Sequence, residues 1–225
     1  LGSEVEIRDI ASSLQDVTEW VSMHPELDSL LLSAPSTYLS GAAFALYSTI
    51  PESIATLGDS PILDMKAIKN PVEVAGMKEA HIRDAVAVCD WAAFMESQIQ
   101  EQGAANWTEI SAMELLSEFR LEQKNTRGDS FGTISAYGAN GAIIHYAPTP
   151  ETDANLGQES LYMVDSGGQY LEGTTDITRT FHYGLPTADT GTRSTAVPAA
   201  AIDLASLALP DPPHDVPVAP ATRLP

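Results

Sequence analysis

Cysteine is almost missing from this chain: Cys89 is the only one in 225 residues. No intrachain disulfide can form, which excludes a disulfide-stapled secreted scaffold and makes a reducing, cytoplasmic compartment the default. Basic residues are scarce too, 11 against 31 acidic ones, leaving a formal net charge of -20. So acidic a chain is repelled by phosphate backbones and anionic lipid heads, which makes nucleic acid and membrane surfaces poor partners. No apolar run approaches the ~18 residues that a membrane-spanning helix needs. No signal peptide is visible, but the opening LGSEVEIRD has no methionine and reads as the middle of something longer. What is plentiful is apolar. Hydrophobic residues make up 44% of the chain, enough for a sizeable core and too many for global disorder.

Residues 1–66 read as mixed helix and strand. Ile10, Leu14, Val17 and Val21 recur at helical spacing, so an amphipathic helix is expected there. It ends at His24, because the residue before Pro25 is pushed out of the helical region. SLLLSAP (29–35) reads as a short buried strand, and the turn residues and prolines of GDSPILDMKAIKNP (58–71) mark a domain boundary. The second segment, 67–187, opens on a helix start: Asn70 can cap, Pro71 suits the first helical position, and Glu73 completes a capping box. That helix is expected to run to Gln102 with Val74, Met77, His81, Ala85, Val88, Ala92, Met95 and Ile99 on one face. His81 on that stripe reads as a core histidine rather than a ligand. A second helix is capped by Thr108, with Ile110, Met113, Leu116 and Phe119 inward. From Ser130 the texture turns to strands: FGTISAY and AIIHYAP flank the turn-forming GANG, and LYMVDSGG and TTDITRTFHYG make the next pair. The fold class is therefore α+β, helices first and an antiparallel sheet after. Beyond Thr187 the chain is rich in Ala, Pro and Thr and has no glutamate, lysine or aromatic residue. Its prolines forbid long regular elements, so 188–225 read as a largely unstructured tail with at most one short helix in AAAIDLASLAL.

One stretch carries chemistry. DSGGQYLEGTTD (165–176) has a carboxylate at each end of a turn-prone run. Asp165 closes an apolar strand, where burying it is costly unless a cation or several donors meet it. Asp176 stands near the start of the returning strand, and a hairpin can bring both carboxylates to one edge of the sheet. Two anions so close raise each other's pKa, whereas divalent metals about 3.5–4 Å apart can share a bridging carboxylate. Oxygen ligands suit manganese or magnesium, and an added imidazole admits zinc or cobalt. Spacing alone favours a pair of turn aspartates, because Asp is common in turns and caps.

The wider stretch YMVDSGGQYLEGTTDITRTFHYGLPT (162–187) resembles the aminopeptidase P (Xaa-Pro aminopeptidase) group of the creatinase/prolidase-like pita-bread metallopeptidases. So do IKNPVEVAGMKEAHIRDAVAVCDW (68–91), TEISAMELLSEFR (108–120) and ISAYGANGAIIHYAP (134–148). The resemblance implies the first half of a pita-bread catalytic domain over 67–187. Before it, over 1–66, it implies the C-terminal part of a non-catalytic creatinase-like domain, of which ALYSTIP (45–51) is the best piece. It further implies cleavage of the N-terminal peptide bond in peptides whose second residue is proline, with two divalent metals held by two Asp, one His and two Glu. Manganese is the metal expected first, then zinc or cobalt, and the full-length parent is expected to form a homodimer. Asp165 matches the ligand to one metal, Asp176 the bridging ligand, and His145 a substrate-side histidine near the scissile bond. Read without the family, His145 is a packed histidine on a strand. Arg179 stands where it could orient the nearby carboxylate, and His182 gets no role.

The family's other ligands, a histidine in a Gly/His-rich stretch and two later glutamates, have no match. No glutamate follows Glu172, and His214 in PPHDVP fits nothing in the pattern. The likeness is expected to stop at Thr187, leaving an incomplete site and an inactive or weakly active form. Two alternatives stand beside it: a non-catalytic protein that binds peptides or a partner on the same fold, and another branch of the family such as prolidase or creatinase.

Overall fold

The computed structural model describes residues 7–35, 41–102 and 107–206. The chain divides into two units, Leu1–Asn70 and Pro71–Pro225. In the first, a 3-10 turn at Ile10–Ser12 leads into α1 (Ser13–Met23). β1 (Leu30–Ser33), α2 (Phe44–Tyr47), β2 (Ala55–Gly58) and α3 (Pro61–Ala67) follow. β1 and β2 pair in parallel, which requires the crossover that α2 occupies. Val21, Leu32 and Ile50 form a small core, with Val17 and Tyr47 packed against it. Ile10 and Leu14 do not join that core: Ile10 falls in the 3-10 turn, whose tighter winding takes it off the helical stripe, and both side chains are exposed.

The second unit contains α4 (Pro71–Gln102), α5 (Glu109–Leu121), β3 (Thr126–Asp129) and β4 (Ile134–Tyr137). A 3-10 helix at Gly138–Ala142 precedes β5 (Tyr162–Ser166), β6 (Gly168–Tyr170), β7 (Ile177–Phe181) and α6 (Ala188–Ala205). β5 is the centre of an antiparallel sheet, between β4 and β7, and β3 pairs with β6. Along β5 the side chains alternate, as a half-buried strand must. Tyr162, Val164 and Ser166 are buried, while Met163 and Asp165 face the other way. The buried side packs with α4 and α5 in a core that includes Trp91, Met95, Ile99, Leu116 and Leu156. Trp91 meets Phe181 edge-on at 5.7 Å, and its indole N–H donates to the Ala112 carbonyl at 2.9 Å. Helices thus cover one face of the sheet, and the opposite face carries Asp165.

Four expectations need correction. The inward stripe of α4 holds over its second half only. In the first half Val74, Met77, His81 and Ala85 are exposed, and Ala80, Asp84 and Ala87 are buried instead. The reason is that this half packs on a tight turn and a buried ion pair, which select small or charged residues. His81 is no core residue, and its ring nitrogen meets the Met77 carbonyl within its own helix. GANG is not a hairpin turn and AIIHYAP is not a strand: the first lies in the 3-10 helix, the second in a turn and loop, and the partner of β4 is β5. Residues 188–205 are helical rather than irregular. Thr187 caps α6 by accepting from Thr190 N–H at 3.2 Å, and a run of alanines tolerates the single interior Pro198. Residues 207–225 of the expected tail lie outside the described residues.

Candidate active site

Two glycines open the DSGGQYLEGTTD turn because backbone passes close beside them. A Cβ at Gly167 would collide with the Thr175 carbonyl oxygen, and one at Gly168 would press on Tyr170 and Asp84. With no side chain in the way, Thr175 N–H donates to the Gly168 carbonyl at 2.9 Å, and Gly168 N–H donates to the Thr175 hydroxyl at 2.8 Å. The tip is held from two sides. Leu171 N–H donates to the Asn125 carbonyl at 3.0 Å, and the Asn125 amide donates to Glu172. Arg83 of α4 reaches Glu172 at 2.8 Å. Arg83 and Asn125 hold the Glu172 carboxyl below the usual carboxylate range. Asn125 has φ 66, a left-handed conformation that asparagine adopts more readily than most residues.

This closed turn sets the position of the two aspartates. The register pairs Asp165 with Thr178 and Ser166 with Ile177, so Asp176 falls one residue before the start of β7. By alternation Asp165, Thr178 and Asp176 share the face turned away from the helices. Asp165 is half-buried and Asp176 exposed. The Thr178 hydroxyl donates to the Asp165 carboxylate at 2.8 Å and fixes its orientation. Arg179 does not do this: it pairs with Val164 on the opposite face and donates to the Thr178 carbonyl at 2.7 Å. Beside β7, a cleft of about 640 Å³ opens against α6, with Thr178, Arg179 and His182 among its lining residues.

His145 is not on a strand. It stands exposed in a turn at φ 55, just past the 3-10 helix. That helix lies over the Asp165 side of the sheet, since a Cβ at Gly141 would rest 4.0 Å from Met163 Cβ and 3.8 Å from the Ala136 carbonyl oxygen. Among the described residues, no group of three or more His, Cys, Asp or Glu is placed to hold a metal ion. Two carboxylates, one steadied by a threonine, are too few to satisfy two divalent ions, which take four to six ligands each.

Sequence reading passed over the buried charge beneath the site. Arg120 of α5 and Asp84 of α4 are both fully buried and pair at 2.8 Å. Arg120 also donates to the Ser166 hydroxyl at 3.0 Å, next to Asp165, and the Tyr170 hydroxyl donates to Asp84 at 3.1 Å. The one available signal was an Asp and an Arg at helix positions in phase with buried Ala80, Ala87 and Leu116.

The sequence pattern of metallopeptidase family M24 matches residues 75–214. The chain belongs to this family. The match continues through α6, so the likeness does not stop at Thr187. Xaa-Pro aminopeptidase 1 of Dictyostelium discoideum is 50% identical over 147 residues, which are 65% of this chain and 23% of that protein. Human Xaa-Pro aminopeptidase 2 is 42% identical over 168 residues, 74% of this chain and 24% of that protein. The chain therefore spans about a quarter of the length of the curated relatives it matches. Among solved structures, the X-prolyl aminopeptidase of Caenorhabditis elegans, a cytosolic enzyme with a di-nuclear active site, superposes with a TM-score of 0.78 at 27% identity. It covers 90% of this chain, which covers 32% of that one. The X-Pro aminopeptidase of Thermotoga maritima, at 20% identity and a TM-score of 0.67, shows the same fold. The M24 chain is thus α+β, a partial relative of the pita-bread and creatinase-like aminopeptidases, and no helix among its described residues is long and apolar enough to cross a membrane.

Proposed function

We propose that this chain supplies the first half of an Xaa-Pro aminopeptidase active site. The observation that carries the reading is the shared face of Asp165, Thr178 and Asp176, in an M24 chain whose relatives bear that name. Asp165 serves as ligand to one divalent ion and Asp176 as the bridge between two. His145 donates a hydrogen bond to the substrate near the scissile carbonyl. Manganese is the first metal to try, with zinc and cobalt next, and the substrates are peptides with proline in second position. Residues 67–187 act as half of the catalytic domain, and 1–66 as the end of a creatinase-like domain. The compartment is the cytoplasm, as for the Caenorhabditis elegans enzyme, and two copies of the full-length parent associate. With only two ligands of its own, the chain alone is inactive or weakly active.

A chimera tests this. The segment of the Dictyostelium discoideum protein aligned with 75–187 is replaced by this chain's own residues and assayed on an Xaa-Pro peptide with Mn²⁺. Turnover is expected, and Asp165→Asn or Asp176→Asn should each abolish it. A folded but inactive chimera overturns the assignment. Turnover by the isolated chain at the chimera's rate overturns the claim that its centre is incomplete.

A further inference from the structure

Glu109 is fully buried, yet none of its described hydrogen-bond partners is charged. It is the first residue of α5, where the helix N-terminus favours an anion. Its carboxylate accepts from Tyr137 N–H at 2.6 Å, at the end of β4, and from Ala154 N–H at 3.2 Å. It also accepts from the Asn140 amide at 3.0 and 3.2 Å and from the Tyr146 hydroxyl at 2.8 Å. Asn140 and Tyr146 bracket the turn 141–145, and they bond to each other at 2.9 Å. One carboxylate therefore ties both ends of the short loop that ends in His145. The loop's own backbone contributes two bonds, Ile143 N–H to the Asn140 carbonyl at 3.1 Å and Tyr146 N–H to the Ile143 carbonyl at 3.3 Å. His145 holds a left-handed φ of 55 that an unconstrained histidine seldom keeps. A buried carboxylate with four donors and no cation is costly unless all are aligned, which suits a fixed clamp rather than a chance contact.

We infer that Glu109 is the positioning residue for the His145 loop, acting through Asn140 and Tyr146 to hold the imidazole over the Asp165 face. The catalytic consequence rests on the proposed substrate-side role of His145; the clamp itself does not. Two readouts keep them apart. In the full chain, without substrate, amide hydrogen exchange and the ring NMR signals of His145 are compared for wild type, Glu109→Ala and Glu109→Gln. Unmaking a buried acceptor frees two backbone donors, Tyr137 N–H and Ala154 N–H, so exchange over 137–154 should accelerate by about tenfold or more. β5 and the Trp91 indole should be unchanged, and the His145 signals should move to an averaged position. Glu109→Gln should restore little, because its amide NH2 faces donors. If Glu109→Ala does not fold, Tyr146→Phe, which removes one arm, should give a smaller acceleration confined to the same loop. Acceleration spread evenly over α5 and β5, or an unmoved His145 signal, overturns the inference. In the chimera, Glu109→Ala should lower kcat more than it raises KM. A loosened loop with unchanged kcat would uphold the clamp and sink the catalytic role of His145.

Discussion

Arg120 meets its charge partner Asp84 at 2.8 Å with neither side chain reaching solvent. Removing one member of such a pair leaves the other charge buried and uncompensated, at a cost of about 3–5 kcal/mol. Arg120→Met should therefore lower the urea midpoint sharply. The double change Asp84→Leu with Arg120→Met should recover much of the loss, because apolar residues of similar volume often replace a buried pair without penalty. Additive single effects in that cycle would show that the two charges are uncoupled. The same region sets a pH limit. Burial, and then the neighbouring Asp84, pushes the Tyr170 phenol well above its usual range, and burial does the same to Tyr162 and Tyr183. A phenol raised in the folded state contributes its full stability below the unfolded pKa of ~10 and loses it above, where the unfolded chain gives up its protons first. Urea midpoints should hold steady to about pH 9–10 and then fall. Phenolate absorbance from these three residues should appear only together with unfolding.

At the scale of the element, the turn between β6 and β7 depends on a glycine in another element. Gly76 lies inside α4, where alanine would ordinarily raise helix stability by about 0.8–1 kcal/mol. A Cβ there would run into the Glu172 carbonyl oxygen at the turn's tip, which is backbone and cannot step aside as a side chain would. Gly76→Ala should destabilise by about 1–3 kcal/mol, the usual cost of overpacking, and chemical denaturation reads the sign directly. Exchange should rise first at 170–176, and with it the freedom of Asp176. The elements were legible unevenly for physical reasons. Thr108 capped α5 as its sequence indicated, since a cap is a local signal. β5 and β7 fall inside the strand pair that LYMVDSGG and TTDITRTFHYG indicate, and the two aspartates sit close to the turn end of that pair. β3 and β6 escaped because their short runs contain Gly and Asp and owe their pairing to a distant partner. The loop with His145 escaped for a similar reason: apolar AIIHYAP looks like a strand unless one knows that Glu109 draws its two ends together. α6 departs from the expected irregular tail because its alanines outweigh the one interior proline. No α6 residue is buried, so its helicity rests on local preference. Pro198→Ala should thus raise far-UV helical signal measurably while leaving the main unfolding transition in place.

For the whole molecule, the family was legible because its motif residues are bound to one geometry: the glycines to the turn, the threonine to the aspartate, the aspartates to one face. The buried Asp84–Arg120 pair and the Glu109 clamp were not, since each joins elements far apart in sequence through side chains that read as solvated charge. The two units have distinct cores, and they differ greatly in size: Val21, Leu32 and Ile50 in one, and nine buried residues around Trp91 and Tyr162 in the other. Stabilisation by burial scales with the apolar area removed from water, at about 25 cal/mol per Å². The smaller core should yield at lower denaturant, so urea unfolding of the whole chain should show two transitions rather than one. Trp20 fluorescence, half-exposed on α1, should report the first, and Trp91, fully buried in α4, the second. A chain starting at Pro71 retains all nine buried residues of the larger cluster, so it should keep the second transition at its original midpoint. Coincident transitions, or a midpoint that falls when residues 1–70 are removed, would mean that the larger core draws support from the smaller unit.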